Sequence, residues 1–138
     1  MNDPTALTDQ LKAASADANA RLRRAGHLPH LRYTHDPATP GWLADLFNHH
    51  AEALRSGRGR ICPHIGPAPR VVCAFAWTPG LLVCTGCRHL ATPDAAEDNT
   101  CDRCRRPCEP IWPGIAQVGP ILFAYGLCGA CHRLASAT

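Results

Sequence analysis

A twelve-residue segment containing a C-x-x-C pair occurs twice in the C-terminal half of this chain. Residues 81–92 read LLVCTGCRHLAT and residues 125–136 read YGLCGACHRLAS. Both cysteines align at one offset of 44 residues (128 − 84 and 131 − 87), and Leu90 aligns with Leu134 at the same offset. Internal repetition constrains the architecture of a chain more than a single motif does. The repeat predicts two similar metal-binding turns, each followed by the start of a helix.

Each repeated turn has a second pair of metal-ligand residues upstream of it. Structural zinc takes four nitrogen or sulfur ligands, which usually come as close pairs on tight turns. A stretch that reads as a β-hairpin separates the two pairs in each set. We therefore predict two zinc ions per chain, held at site one by Cys62, His64, Cys84 and Cys87 and at site two by Cys101, Cys104, Cys128 and Cys131.

The spacing leaves alternatives open for the ligand sets. Any two of Cys101, Cys104 and Cys108 stand close enough to supply the upstream pair of site two. A crossed arrangement, in which the first and third pairs share a metal, has acceptable spacing too. An iron–sulfur cluster is a further alternative, although a histidine ligand favours zinc. Cys73 and Cys108 each stand four residues before a tryptophan, and core packing is our interpretation for both.

Two other motifs resemble catalytic or haem-binding signatures. The C-x-x-C-H sequence at 128–132 fits covalent haem attachment, but the first copy has Arg88 at the histidine position. His50-Ala-Glu52 together with the first C-x-x-C resembles a zinc deaminase, but Val83 stands where that signature has proline. A deaminase-like enzyme is thus a remote alternative. Four protein ligands leave no open position for substrate, so we predict structural metals and no catalytic residues.

The hydrophobic pattern predicts a small, metal-stabilised α+β fold. Amphipathic helices are expected over Thr5–Arg24 and from Thr39-Pro40 to Ser56-Gly57, with Gly26 as the stop signal of the first. Strands are expected at 70–77 and 81–83, and at 111–118 and 121–127, with turns at 78–80 and 119–120. The predicted order is an N-terminal helical pair (1–58) followed by two tandem hairpin units (61–92 and 100–138). The intervening segments 27–39, 55–60 and 93–100 read as a connector, a basic hinge and an acidic linker.

From about Ile61 onward, this order of knuckle, hairpin and knuckle resembles the zinc-ribbon fold group. Zinc ribbons occur in transcription factors, ribosomal proteins and adaptor modules, so the resemblance implies a nucleic-acid-binding or transcription-associated protein, or alternatively a protein–protein adaptor. Arginines on knuckle turns are well placed to reach phosphates. The candidate nucleic-acid-binding residues are Arg55, Arg58, Arg60, Arg103, Arg105 and Arg106. An adaptor would use exposed aromatic residues as anchors, although core packing fits them better: Phe75, Trp77, Trp112, Phe123 and Tyr125.

Composition adds weaker constraints on location and partners. The net charge is +3, with thirteen arginines and one lysine, and the coding bias of a GC-rich bacterial genome explains this balance as well as a phosphate-seeking surface does. The cysteine count is nine, an odd number, and six of the nine form C-x-x-C pairs, which favours metal ligation over disulfides. The first 28 residues lack an apolar signal-peptide core, and no run has the length of a membrane span. We expect a cytoplasmic protein that binds DNA, RNA or a protein and no membrane, and that can dimerise through its N-terminal helices.

Overall fold

The computed structural model describes residues 4–25, 32–34 and 41–136. Within these ranges the chain forms helices and one mixed six-stranded sheet of order β1-β5-β6-β3-β4-β2, which confirms a small α+β fold. The strands are β1 (Arg32–Thr34), β2 (Arg60–Ile61), β3 (Val72–Phe75), β4 (Leu81–Cys84), β5 (Trp112–Val118) and β6 (Ile121–Leu127). The helices are α1 (Pro4–Ala25), α2 (Gly41–Arg55), α3 (Ala95–Asp98) and α4 (Gly129–Ser136), and a 3₁₀ segment spans Thr85–Ala91.

Two antiparallel hairpins, β3–β4 and β5–β6, form the centre of the sheet. The first turn closes when the Leu81 N–H donates to the Thr78 carbonyl at 3.2 Å. Gly80 has a φ of 90° there, as the third residue of a type II turn requires. Gly119 has a φ of 58° in the second turn, where a glycine relieves the strain that a side chain would create. Both predicted hairpins and both turns are confirmed.

The two hairpins join into one sheet through parallel pairing of β3 with β6. Val72 is paired with Cys84 on one side and with Ile121 on the other. The end of β4 therefore lies beside the start of β6. Because each C-x-x-C turn follows the last strand of its hairpin, the two turns lie at opposite ends of the sheet. We call these the site-one end and the site-two end.

The two long helices pack on opposite faces of this sheet. Successive strand residues point to opposite faces, and α2 contacts the face of Phe123, whose ring lies 5.6 Å from that of Phe47. Helix α1 packs on the other face, where Leu22 and Leu122 line one cavity and Asn19 donates to Gln117 at 3.1 Å. No helix among the described residues has the length and apolar character needed to cross a membrane.

Three short elements differ from the sequence-based prediction. Segment 27–39, interpreted as a connector, contributes β1, which pairs in parallel with β5. The basic hinge ends in β2, which pairs in parallel with β4. The acidic linker contains α3, which begins with a capping box between Asp94 and Glu97. The predicted stop at Gly26 and cap at Thr39 lie outside the described residues.

Candidate metal centres

The structure brings all eight predicted ligand residues into two clusters of four. Within each cluster the four ligand atoms lie within 4.8 Å of one another. The clusters combine the pairs in sequential order, so the crossed arrangement does not form, and Cys108 belongs to neither cluster. None of the nine cysteines forms a disulfide. Each cluster could therefore hold one metal ion.

Site one is assembled where β2 and β4 run side by side. The Cys62 N–H donates to the Leu82 carbonyl at 3.2 Å, which places this cysteine beside the end of β4. A tight turn then brings His64 back over the C-x-x-C pair. Its Nδ1 lies 3.7 Å from the Cys84 Sγ and 3.3 Å from the Cys87 Sγ. Nδ1 is thus the ring nitrogen that faces the cluster, and the C-x-H pair occupies the position that the repeat requires.

Site two joins a knuckle at 101–106 to the turn that follows β6. The knuckle closes when the Cys101 N–H donates to the Arg106 carbonyl at 3.0 Å. Arg105 adopts a φ of 63° within it. The Sγ atoms of Cys104 and Cys128 are 3.9 Å apart, so the two halves of the cluster meet across the knuckle. Cys104 is exposed while the other three cysteines are buried.

Crowding of the thiols separates their pKa values within each cluster. Burial opposes ionisation of Cys62, but hydrogen bonds from the Cys84 backbone and from His64 outweigh it and lower its pKa to about 6. Burial and the neighbouring thiols raise the pKa of Cys87 to about 11. Like charges so close together disfavour full ionisation. A cation at the centre would remove this conflict, and thiolate sulfur is the form that binds metals.

The pKa values of the site-two thiols are separated in the same way. A hydrogen bond from the Cys131 N–H, 3.5 Å from the Cys128 Sγ, lowers the pKa of Cys128 to about 7. Burial and the other sulfurs raise the pKa of Cys131 to about 12. Backbone N–H groups that point at sulfur stabilise thiolates. The local backbone at both sites is therefore arranged to favour negative sulfur.

Asp102, inside the knuckle, is a supporting residue that the sequence analysis missed. Its side chain is 4% exposed. Its Oδ2 accepts from the Gly126 N–H at 2.7 Å, and its own N–H donates to the Gly126 carbonyl at 2.8 Å. Burial raises the pKa of this carboxyl. Asp102 thus fastens the first half of site two to β6, and an aspartate between two ligand cysteines is the sequence signal that could have identified it.

The two cysteines outside the clusters have different surroundings. Cys73 is buried on β3 within the apolar core, and burial raises the pKa of its thiol, so the core interpretation fits. Cys108 is half-buried, and its N–H donates to the Asn99 carbonyl at 2.7 Å. It packs against a separate group of buried residues that includes Phe123 and Tyr125. His132 stacks on Trp112 with ring centroids 5.0 Å apart.

His50 does not approach the site-one cysteines. It is 1% exposed, its ring lies 6.2 Å from that of Phe123, and its Nδ1 accepts from the Gly80 N–H at 2.9 Å. Burial lowers its pKa, so the ring is neutral and its proton lies on Nε2. The nitrogen beside those cysteines belongs to His64. The deaminase-like constellation therefore does not form.

The six candidate arginines come from two segments that the fold brings to the site-two end. Arg60 is paired with Leu81 at the start of β4, which is the site-two end of that strand, and residues 103–106 belong to the site-two knuckle. Four of the six have side-chain partners among the described residues. Arg55 pairs with Glu52 at 2.9 Å, and the Arg58 Nε donates to the Ser56 Oγ at 2.9 Å. Arg105 lies 3.5 Å from Asp102, and Arg103 stacks 5.2 Å from the Trp42 ring centre. Arg58, Arg60 and Arg106 are exposed and form no ion pair with a described residue.

Comparisons of the chain with protein-family models, with curated proteins and with solved structures find no match.

Proposed function

We propose that this protein binds two structural zinc ions, one in each cluster, and that each zinc fastens a zinc-ribbon-like hairpin. The proposal depends on a single observation, the convergence of four ligand atoms within 4.8 Å at each site. Three sulfurs with one imidazole, and four sulfurs, are donor sets typical of structural zinc. Since all four positions are filled by the protein, the metals stabilise the fold and do not activate water.

The distances between ligand atoms support zinc. Tetrahedral zinc places its sulfurs about 3.8 Å apart, and an imidazole nitrogen about 3.5 Å from a sulfur. The Sγ atoms of Cys104 and Cys128 are 3.9 Å apart. The two distances from the His64 Nδ1 to sulfur are 3.7 and 3.3 Å. These three distances are therefore compatible with a zinc ion in each cluster.

Metal content by native mass spectrometry tests this proposal. The full chain, purified with zinc, should carry two zinc ions, and Cys84→Ser and Cys128→Ser should each carry one. Cys108→Ser is the matched control, because it removes a thiol that belongs to neither cluster, and it should retain two. A wild-type protein with fewer than two zinc ions would contradict the proposal. A visible iron–sulfur absorption band would contradict it as well.

We further propose that the site-two end binds DNA or RNA through phosphate contacts. The pairing of β2 with β4 supports this, because it places Arg60 beside Leu81 at the site-two end, the end of the sheet that also carries the knuckle at 101–106. Guanidinium groups contact phosphates with parallel hydrogen bonds. Arg58 and Arg106 are exposed and form no ion pair with any described residue. They are therefore available to phosphates.

A salt titration of binding to random single-stranded DNA and RNA tests the nucleic-acid proposal. Each phosphate contact adds about 0.7 to the slope of log affinity against log salt, so Arg106→Gln should reduce the slope by about that amount. Lys12→Gln is the control, since Lys12 is an exposed cation on α1. Absence of binding by the zinc-loaded chain at low salt would contradict the nucleic-acid proposal and would leave the zinc proposal intact.

A protein–protein adaptor is the second candidate function. Leu90 and Leu134, which align in the repeat, are 55% and 59% exposed, so each C-x-x-C turn presents a leucine to solvent. Most of the aromatic residues considered as anchors are unavailable, since Phe75, Phe123 and Tyr125 are buried. A homodimer through α1 belongs to this candidate, because Leu7 and Leu11 are exposed on that helix. Sedimentation of the zinc-loaded chain, with Leu7→Ser and Leu11→Ser together, tests the dimer.

A further inference from the structure

Three arginines from two distant segments line a small cavity at the site-one end. The cavity has a volume of about 210 Å³ and lies between α1 and the 3₁₀ segment. Arg21 and Arg24 come from the last turns of α1, and Arg88 comes from the turn that carries the site-one cysteines. Among the described residues, no carboxylate lines the cavity. Its other walls are formed by Leu22, Cys73, Thr85, Ile115 and Leu122.

The charges around this cavity are poorly balanced by the protein. The Arg21 Nε pairs with Asp17 at 3.4 Å, one turn back on the exposed side of α1. The Arg88 Nε donates to the Thr85 carbonyl at 3.1 Å, which orients the guanidinium and leaves its terminal nitrogens unused by that bond. Within the described part of the chain, neither Arg24 nor Arg88 forms an ion pair. Three like charges thus converge on one recess, where apolar walls concentrate their field.

An oxyanion is the ligand that complements this arrangement. The planar fork of arginine matches the oxygens of phosphate and forms paired hydrogen bonds with them. A volume of about 210 Å³ is below the usual range for drug-sized ligands but sufficient for one tetrahedral group. We propose that this cavity binds a phosphate-class oxyanion, either as the free ion or as the phosphate group of a larger molecule.

Such a ligand would connect two parts of the fold that line this cavity together. Arg21 and Arg24 belong to α1, which rests on the sheet through Leu22, and Arg88 belongs to the turn that surrounds site one. An oxyanion between them would hold the end of α1 against that turn. These arginines are distinct from those of the proposed nucleic-acid surface, which lies at the other end of the sheet.

Calorimetric titration of the zinc-loaded full chain with inorganic phosphate tests the proposal. The ionic strength is held constant with sodium chloride, so that general screening does not change. The wild type should bind one phosphate per chain with a saturable heat. Arg24→Gln and Arg88→Gln should each weaken binding tenfold or more, because each removes a charged hydrogen-bond donor. Arg24→Lys keeps the charge but loses the fork, so a smaller loss is expected.

Arg23→Gln is the matched control, since Arg23 is an exposed neighbour on the same helix that does not line the cavity. It should bind phosphate like the wild type. Equal weakening by Arg23→Gln and Arg24→Gln would overturn the proposal, because it would indicate a general effect of net charge. Absence of a saturable heat in the wild type would also overturn it, provided that two zinc ions are bound.

A competition experiment identifies the source of the phosphate group. If inorganic phosphate displaces a single-stranded oligonucleotide and Arg24→Gln weakens both ligands, the cavity takes a nucleic-acid phosphate. If phosphate binds with the expected affinity losses but displaces no oligonucleotide, the cavity serves a free or small-molecule phosphate. Both results support the oxyanion site, and neither depends on Arg58 or Arg106.

Discussion

Replacement of Asp102 by alanine should weaken metal binding at site two without removing any ligand. Asp102 stands between two ligand cysteines and bonds Gly126, two residues before a third ligand, Cys128. In Asp102→Ala the bond from the Asp102 N–H to the Gly126 carbonyl can persist. The bond from the Gly126 N–H to the carboxylate cannot. The substitution therefore loosens the knuckle from β6 and leaves a donor in a buried position unpaired.

The expected loss of metal affinity follows from the burial of the hydrogen bond between the Asp102 carboxylate and the Gly126 N–H. A hydrogen bond to a charged group contributes about 1.5–3 kcal/mol, which corresponds to about 10- to 150-fold in affinity. The carboxylate is 4% exposed, and burial raises its pKa. The cost of desolvating the carboxylate therefore offsets part of the free energy of this hydrogen bond. We expect Asp102→Ala to lose metal affinity by the lower part of this range, about 10- to 30-fold. Asp102→Asn retains an oxygen acceptor and should lose less than Asp102→Ala.

Cobalt substitution allows the two sites to be measured separately. Cobalt with four sulfurs and cobalt with three sulfurs and one nitrogen differ in their visible absorption, so zinc displacement can be followed at each site in one titration. Asp102→Ala should lower the metal affinity measured from the four-sulfur absorption and leave unchanged the affinity measured from the absorption of cobalt with three sulfurs and one nitrogen. Asp98→Ala is the control, because Asp98 is an exposed carboxylate nearby. Equal losses at both sites, or an equal effect of Asp98→Ala, would refute the assignment of Asp102 as a positioning residue.

Three further perturbations have definite expected outcomes. Chelation of both metals should increase amide hydrogen exchange in β3–β6 and also in α2, because α2 packs on Phe123; protection retained in β3–β6 would contradict a stabilising role of the metals. His50 has a lowered pKa in the folded state, so its contribution to stability is present above the unfolded value of about 6.5 and is lost as the pH falls below it. Relative to His50→Gln, the wild type should lose at most about 1.4 kcal/mol per pH unit there; parallel pH profiles in chemical denaturation would contradict this. Gly114→Ala would place a methyl group in steric conflict with the Tyr125 ring and should destabilise the fold by about 1–3 kcal/mol, whereas Gly66→Ala, with nothing within 4 Å, should not change the denaturation midpoint.

Local signals in the sequence were sufficient to predict the hairpins and the ligand groups. The turn at Gly80 and the strand that precedes it depend on a few adjacent residues, and the structure contains both. The eight ligand residues were found from spacing alone because close Cys and His pairs on tight turns are what a tetrahedral ion requires. Helix α3 was missed although its signal was present, since Asp94 and Glu97 have the spacing of a capping box.

Cys73 and Cys108, which each stand four residues before a tryptophan at an offset of 35 residues (108 − 73 and 112 − 77), do not occupy equivalent positions in the fold. Cys73 and Trp77 lie on β3 and directly after it, whereas Cys108 precedes β5 and Trp112 is the first residue of that strand. The Trp77 Nε1 donates to the Ala91 carbonyl at 2.6 Å, while Trp112 stacks on a histidine. A shared Cys-x3-Trp spacing therefore does not imply shared positions on the strands.

The parallel pairing of β3 with β6 had no sequence signal at all. It joins residues nearly fifty positions apart, such as Val72 and Ile121, and neither strand carries a pattern that selects the other as its neighbour.

The parallel pairing of β3 with β6 determines how the two Cys/His clusters lie relative to each other. Each cluster lies at the end of its own hairpin, and the hairpins share backbone hydrogen bonds along β3 and β6, so metals bound in both clusters would stabilise one sheet from its opposite ends. The same pairing separates the two groups of arginines, with Arg60 and the site-two knuckle at one end and Arg88 at the other. The two proposed phosphate-binding surfaces therefore lie at opposite ends of one sheet because of that single non-local contact, and neither could be placed before its register was known.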